Sequence, residues 1–231
     1  MQMTILSGAG RSADPWHPYA ETSAAIAEIG SATGFEVKAV PGTLEGLAEL
    51  SERSSLVVVN AGDPEGPGLD GTVPTAPADA DLAALAAERF EAALERGIGI
   101  LVVHSGAAAL REVPAFGGAL GARWERGRSW HPDQGDARVL VVGDHPIVRG
   151  LSDFEVFDER YTDLVPNADF EATSTVLAVH EEAGRTHPLA WARELGRSRL
   201  VYSALGHDAR SYRSAGHRAL LARALRWLSA M

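Results

Sequence analysis

Residues 98–104 read Ile-Gly-Ile-Leu-Val-Val-His, and residues 56–60 read Leu-Val-Val-Val-Asn. Each run is apolar up to a polar residue at its end, which is typical of strands buried on both faces of a parallel sheet. Two more β-branched runs, at residues 3–7 and 35–40, precede them, and amphipathic stretches separate the four runs. This alternation predicts an α/β fold whose parallel sheet is covered by helices on both faces.

Helices are predicted where apolar residues recur at helical spacing, at residues 19–33, 81–96 and 216–229. Gly34 and Gly97 stand where the first two helices should end. In the last helix we expect one face to dock on the sheet as the closing element. That face carries Leu220, Leu221, Ala224 and Leu228.

The second half of the chain contains further short strands at residues 138–142, 175–179, 189–193 and 200–203. The short turns between them favour an antiparallel extension of the sheet. His187-Pro188 and Asp144-His145-Pro146 are interpreted as turns, with both histidines structural. Residues 62–80, rich in Gly, Pro and Asp, predict a long loop that either flanks the ligand crevice or forms a mobile surface insertion.

Composition limits the classes of function. The chain has 231 residues and no cysteine, and we expect one domain over residues 1–231 with no disulfide, thiolate metal site or cysteine nucleophile. A formal charge of −10 disfavours sequence-independent binding to nucleic acid. The first apolar run is too short for a signal sequence, and no run approaches the roughly 18 apolar residues of a membrane span. We therefore expect a cytoplasmic protein with no membrane partner.

Four histidines lie at or just beyond predicted strand ends or in adjoining loops: His17, His104, His131 and His207. In an open α/β sheet the ligand crevice lies outside the carboxyl ends of the strands, so His104 and His207 are expected to converge there. The structural alternative for any single histidine is a hydrogen-bonded framework residue. Several histidines together favour a functional site.

A charged segment, Asp158-Glu159-Arg160-Tyr161, follows a predicted strand at residues 154–157. Neighbouring residues of an extended segment point to opposite sides, so only one of Asp158 and Glu159 can face a given pocket. A carboxylate beside histidines could orient an imidazole, act as a general base or complete a metal site. The alternative is a solvated run of charges.

The sequence matches none of three templates for a nucleophilic serine or for phosphate binding. Ser105 precedes Gly106, but Val103 stands where a G-x-S-x-G nucleophile motif needs glycine, so a Ser105 hydrolase ranks last. The sequence has no GxxxxGK[ST] or GxGxxG loop. Aromatic residues that could pack on a sugar ring or on the core are Trp16, Trp124 and Trp130.

A set of motifs in the same order along about half of the chain resembles the trehalose-utilisation ThuA-like family, whose members have a class I glutamine amidotransferase-like, flavodoxin-related fold. The motifs are the strand ending in His104, Gly117-Gly118-Ala119-Leu120-Gly121 with His131-Pro132, Asp144-His145-Pro146-Ile147 with Gly150-Leu151, Asp158-Glu159 with Tyr161, His187-Pro188-Leu189-Ala190-Trp191, and Tyr202-Ser203-Ala204-Leu205-Gly206-His207. His17 lies near the position of a first-loop histidine in the family.

The resemblance implies a three-layer α/β sheet, mostly parallel with an antiparallel extension. It also implies that His104 occupies the position of the catalytic cysteine of true amidotransferases. Because an imidazole cannot form a glutamyl thioester, we expect no glutaminase activity. Relatives are linked to the utilisation of trehalose and similar disaccharides at the level of oxidised (3-keto) sugars.

The main functional hypothesis is an enzyme of undefined reaction type acting on a small carbohydrate. Its expected catalytic residues are His104, Glu159, His207 and His131, and its expected substrate contacts are His17, Asp158, Tyr161 and Trp130. A divalent metal such as Zn²⁺ could join the histidines and the carboxylate. The alternative is a non-catalytic sugar-binding or regulatory module, and the sequence leaves open a homo-oligomer.

Overall fold

A computed structural model describes residues 1–66 and 77–230 of the chain. Its strands are β1 (Gln2–Ser7), β2 (Glu36–Pro41), β3 (Ser54–Asn60), β4 (Gly99–Val103), β5 (Ala122–Arg123), β6 (Gly135–Val141), β7 (Phe154–Asp158), β8 (Val165–Pro166), β9 (Ser174–Glu182), β10 (Arg185–Leu195) and β11 (Ser198–Ser203). Its helices are α1 (Tyr19–Ala32), α2 (Leu44–Ala48), α3 (Ala80–Arg96), α4 (Pro114–Leu120), α5 (Phe170–Thr173) and α6 (Ala215–Ser229).

Nine strands form one sheet in the order β2-β1-β3-β4-β11-β10-β9-β6-β7. The first five of these strands are parallel to one another, and every neighbouring pair from β11 to β7 is antiparallel. This confirms the predicted parallel sheet with an antiparallel extension. β5 and β8 pair separately as a short two-stranded ribbon.

Helices cover both faces of the sheet. A Cβ added to Gly30 of α1 would contact the Met3 side chain, and a Cβ added to Gly46 of α2 would contact the Leu6 side chain. Met3 and Leu6 are three residues apart on β1, and side chains alternate along a strand, so α1 and α2 lie on opposite faces. Because α6 packs beside α1, and α3 packs beside α2 and α4, the result is three layers.

The predicted docking face of α6 is confirmed, since all four of its apolar residues are buried: Leu220, Leu221, Ala224 and Leu228. Ser214 begins the helix by accepting the His217 backbone N–H. Gly97 ends α3 in a left-handed conformation, with φ of 90°. Within residues 1–66 and 77–230, no helix is both long and apolar enough to cross a bilayer.

The predicted strand at residues 200–203 joins the two parts of the sheet, because β11 pairs in parallel with β4 as well as antiparallel with β10. One prediction about the strands is wrong. His187-Pro188 is not a turn but lies inside β10, where the register shifts after Pro188. Proline lacks a donor for the ladder and is tolerated at such an irregularity.

The predicted loop at residues 62–80 is described in part. Residues 62–66 follow β3, and residues 77–79 lead to Asp79, which caps α3 by accepting the Leu82 N–H. Residues 67–76 lie outside the described part of the chain. The interpretation of that loop therefore stays a prediction.

Candidate functional site

The site is built at the carboxyl ends of β4 and β11. These strands pair in register up to Val103 and Ser203, so the residues that follow them, His104 and Ala204, lie side by side. The chain leaves β4 through a 3₁₀ turn at His104–Ala107, and His104 adopts a left-handed conformation with φ of 46°. The His104 Nδ1–H donates to the Ala204 carbonyl at 2.7 Å. A strained, hydrogen-bonded strand-to-helix turn thus fixes this imidazole.

The end of β7 supplies two carboxylates that point in opposite directions. Asp158 is buried and accepts the backbone N–H groups of Gly206 at 2.8 Å and His207 at 3.1 Å, together with the Ser211 hydroxyl. Burial raises the pKa of Asp158 to about 6. Asp158 therefore holds the segment that carries His207, and Glu159 faces the pocket.

Glu159 lies among three imidazoles. Its Oε2 is 3.5 Å from His104 Nε2 and 3.2 Å from His207 Nδ1, and its Oε1 is 3.2 Å from His131 Nδ1. His104 Nε2 and His207 Nδ1 are 3.4 Å apart. A carboxylate in such a position can share or relay protons among the three rings.

Burial and hydrogen bonding shift the pKa values of His104, Glu159 and His207 in different directions. Burial lowers the pKa of His104 to about 4, so its ring is neutral near neutral pH. Burial disfavours ionisation of Glu159, but the contacts with His104 and His207 outweigh it and hold the Glu159 pKa well below its usual range. Burial also opposes protonation of His207, but the hydrogen bond to Glu159 prevails and raises the His207 pKa. Groups with opposed shifts in one cleft are typical of a catalytic centre.

The loop between β1 and α1 brings His17 to the same place. Asp14 accepts the backbone N–H groups of Trp16 and His17, and its carboxylate lies 2.7 Å from His17 Nδ1. Burial raises the pKa of Asp14, but the hydrogen bond from His17 outweighs it, so the net shift is downward. The His17 ring centroid is 5.0 Å from that of His104 and 4.7 Å from that of His207.

These groups open into a pocket of about 520 Å³, a size in the range of small-molecule sites. Its aromatic walls are Trp16, Trp124 and Tyr161. The Tyr161 ring centroid lies 4.1 Å from that of His104 and 4.2 Å from that of Trp124. Asp63 and Arg126 add charged groups to the lining.

The structure brings together most of the predicted residues. The pocket lining contains His17, His131, Glu159, Tyr161 and His207. His104 is buried beneath them. Asp158 and Trp130 are not part of the lining: Asp158 anchors the His207 segment, and Trp130 Nε1 donates to Asp163 at 2.9 Å.

Sequence reasoning did not single out Asp14, and it left Trp124 undecided between sugar packing and core. The signal for Asp14 was its position three residues before His17 in Asp-Pro-Trp-His, where an aspartate side chain can cap the following backbone N–H groups. Ser105 also lines the pocket, but within the described residues its hydroxyl pairs with the Tyr19 hydroxyl at 3.1 Å rather than with a histidine. That partner does not favour the Ser105 hydrolase.

Four of these residues could hold a metal ion. His17, His104, His207 and Glu159 each offer one ligand atom, and these atoms all lie within 4.8 Å of one another. Imidazole nitrogen and carboxylate oxygen are ligands of Zn²⁺ and of similar divalent ions.

Comparison with known proteins identifies the fold and the family. The chain resembles a ThuA-like protein from Parabacteroides merdae, with a TM-score of 0.74 at 18% identity over 99% of this chain and 89% of that one. A ThuA-like protein from Bacteroides uniformis gives a TM-score of 0.67 at 16% identity over 99% and 91% of the two chains. The glutaminase domain of a Trypanosoma brucei CTPS with bound acivicin gives 0.55 at 14% identity over 98% and 94%.

The structural likenesses show the fold, which is the class I glutamine amidotransferase-like fold implied by the motifs. No curated protein matches the chain. The sequence profile of the ThuA family, described as trehalose utilisation, matches residues 4–228. Because this match spans nearly the whole sequence, the chain belongs to the ThuA family.

Proposed function

We propose that this protein is an enzyme of carbohydrate utilisation that acts on a disaccharide or an oxidised (keto) sugar derivative by proton transfer. The observation that carries the proposal is the Glu159 carboxylate, set 3.2 to 3.5 Å from the three imidazoles of His104, His131 and His207 at the floor of an aromatic-walled pocket. The family description, trehalose utilisation, supports the class of substrate.

The site residues divide the work of moving protons. His207, whose pKa is raised by Glu159, holds its proton and is suited to be a general acid. The His131 side chain is 37% exposed, and its Nδ1 lies 3.2 Å from Glu159 Oε1. It can therefore reach both the substrate and water for proton transfer. A ketone acidifies the neighbouring C–H bond: one base takes that proton, the C–H electron pair forms the C=C bond of an enediol, and one acid gives its own proton to the carbonyl oxygen.

The pocket walls suit a polyhydroxylated ring. Trp16 is 58% exposed at the pocket, and Trp124 lies beside Tyr161. Aromatic faces pack on the apolar faces of sugars, while carboxylates and imidazoles serve the hydroxyl groups. The same walls also suit a sugar-binding module without catalysis, and turnover measurements separate these two functions.

The proposal excludes glutaminase chemistry. The chain has no cysteine, and the imidazole at the end of β4 is buried, neutral and tied through Nδ1 to Ala204. It cannot form the thioester that releases ammonia from glutamine. Purified protein incubated with glutamine should release no ammonia above the buffer blank, and release abolished by His104→Ala would contradict this part of the proposal.

The direct test is turnover of trehalose and of its 3-keto derivative, followed by NMR of substrate and products. Glu159→Gln should lower kcat about 10²-fold or more, because the neutral amide can neither accept a proton nor stabilise the imidazolium of His207. The matched control is Glu194→Gln. Glu194 is the next-to-last residue of β10, it does not line the pocket, and its side chain is 72% exposed. Sugar binding by calorimetry without any consumption would instead establish the sugar-binding module.

A further inference from the structure

We propose that His17, His104, His207 and Glu159 are the ligands of one resident divalent transition-metal ion of the Zn²⁺ type. The site deepens the proposed function, because the ion would lie in the same pocket. With the ion bound, His207 and Glu159 would be ligands without a proton to give, the ion would replace the His207 proton as the acid, and His131 would remain for proton transfer. Only this catalytic meaning rests on the proposed function.

His104 presents a lone pair to the cluster. Its Nδ1 lies 2.7 Å from the Ala204 carbonyl, which can only accept, so Nδ1 carries the ring proton and Nε2 is the acceptor nitrogen of that tautomer. That Nε2 nevertheless lies 3.4 Å from His207 Nδ1 and 3.5 Å from a Glu159 oxygen. A lone pair facing an ionised carboxylate is repulsive unless a positive centre lies between them.

His17 presents a second lone pair for the same reason. Its Nδ1 is within 2.8 Å of both oxygens of Asp14, which assigns the ring proton to that nitrogen. Within residues 1–66 and 77–230, the opposite nitrogen, Nε2, is buried and has no hydrogen-bond partner, in a side chain only 9% exposed. An unpartnered buried acceptor is costly, and this one belongs to the group of atoms that could hold an ion.

A shared proton accounts for only part of this arrangement. A proton on His207 Nδ1 can serve Glu159 at 3.2 Å and His104 Nε2 at 3.4 Å, but it leaves the lone pair of His17 without a donor. One cation would serve all four atoms, which lie within 4.8 Å of one another. In a tetrahedral zinc site with bonds of about 2.0–2.2 Å, ligand atoms lie roughly 3.3–3.6 Å apart. The measured separations among His104, His207 and Glu159 are 3.2, 3.4 and 3.5 Å.

The residues behind the cluster resemble the supports of established metal sites. The Asp14 carboxylate orients His17, and the Ala204 carbonyl orients His104, in the way that outer carboxylates and carbonyls fix histidine ligands. Asp158 fixes the backbone of His207 through two hydrogen bonds from Gly206 and His207. The ligands are therefore held before an ion binds, which reduces the cost of ordering them.

The donor set selects the class of ion. Three imidazoles with one carboxylate suit Zn²⁺ and Co²⁺, whereas Mg²⁺ and Ca²⁺ prefer oxygen ligands throughout. Glu159, His17 and His207 line the pocket, so the ion would be reached from the substrate side. There it would polarise a sugar carbonyl or hydroxyl as a Lewis acid.

Metal binding is tested directly on the purified full chain after treatment with a chelator. Titration with Zn²⁺ by calorimetry and with Co²⁺ by visible absorption should give one ion per chain and ligand-field bands, and Mg²⁺ should give no saturable binding. Asp14→Asn should weaken Zn²⁺ binding about 10- to 100-fold. His17→Ala should weaken it further, and His145→Ala, beside Trp227 and away from the site, should leave it unchanged.

Either of two results would overturn the metal site. One is that folded wild-type protein binds no stoichiometric Zn²⁺, and the other is that Asp14→Asn and His17→Ala both leave the Zn²⁺ affinity unchanged. Circular dichroism of each variant confirms folding, and if His17→Ala does not fold, Asp14→Asn decides. His131→Ala separates the two proposals, because it should lower sugar turnover while Zn²⁺ affinity stays within a few-fold of wild type. Zn²⁺ binding without sugar turnover would sustain the metal site and refute the proposed enzyme.

Discussion

His104 combines a left-handed backbone, complete burial and a hydrogen bond from Nδ1 to Ala204. A non-glycine residue with φ of 46° costs on the order of 1 kcal/mol or more, and such strain persists only where the surroundings impose it. Here the surroundings are tight: a Cβ on Gly106 would lie 2.8 Å from the Val59 carbonyl oxygen. Strain at the end of a central strand is typical of a functional residue.

The burial of His104 changes one expectation about stability. From the sequence, replacing His104 or His207 by alanine should cost little stability, because neither was assigned to the core. In the structure His104 is buried, so His104→Ala should cost about 2–3 kcal/mol through a cavity and an unpaired Ala204 carbonyl. His207→Ala should cost less than half as much. Urea unfolding of both variants measures the difference, and equal losses would contradict it.

Sequence reasoning at the residue scale succeeded where local geometry decides. Alternation along an extended segment correctly required Asp158 and Glu159 to face different sides. It chose Trp130 as a substrate contact, whereas Trp124 lines the pocket, because the side to which a loop residue turns depends on tertiary contacts. Asp14 was not recognised for a related reason, since its carboxylate matters only once His17 and Tyr19 fold onto it.

At the scale of elements, β4 and α6 approach each other closely at Gly99. A Cβ at this position would lie 2.7 Å from the Leu228 carbonyl oxygen, so Gly99→Ala must displace α6 from the sheet. We expect a loss of about 2 kcal/mol or more in the free energy of unfolding. Gly118→Ala in α4 is the matched control, because no heavy atom of the described residues outside its own helical turn lies within 4 Å of its Cβ position. It should leave stability unchanged or raise it by up to about 1 kcal/mol.

The two glycine variants are compared by thermal and denaturant unfolding. A Gly99→Ala protein as stable as wild type would show that α6 does not pack on β4 as described. The helix is the last element of the chain, and its docked face was predicted from apolar spacing alone. This comparison therefore tests both the helix and its contact.

Long, strongly patterned elements were predictable and short ones were not. The buried runs of β3 and β4 and the amphipathic α3 follow directly from their residues. The five-residue α2 and the glycine-containing α4 carry little intrinsic helix propensity, so packing decides them. The orientation of β11 relative to β4 was also not encoded locally, because β4 lies about 100 residues earlier in the sequence.

At the scale of the whole molecule, stability should depend on pH through buried histidines. Burial lowers the pKa of His180 and of His217 to about 4, below the value of about 6.5 in an unfolded chain. Between these values the unfolded state binds more protons, so stability is full above pH 6.5 and falls as the pH drops towards 4. Each group should contribute roughly 1 kcal/mol per pH unit.

Urea unfolding at a series of pH values measures this slope. The variant His217→Gln should flatten it, since the amide can keep a hydrogen bond with Ser211 but does not titrate. Flat stability of the wild-type protein between pH 6.5 and 4.5 would contradict the burial of these two rings. So would an unchanged slope in the variant.

The sheet order explains why one site collects residues so far apart in sequence. Parallel β1, β4 and β11 end at the same edge, and the loops after them carry His17, His104 and His207, while β7 delivers Glu159. Convergence at this edge is a property of the fold. The chemistry depends on the side chains that this chain places there.

The most direct measurement is a crystal structure from crystals soaked in Zn²⁺ and trehalose, with anomalous diffraction data collected at the zinc absorption edge to locate the ion. The account predicts one anomalous peak about 2.0–2.2 Å from the ligand atoms of His17, His104, His207 and Glu159. It also predicts sugar density in the pocket between Trp16 and Trp124. A peak elsewhere, or sugar bound away from this pocket, would contradict it.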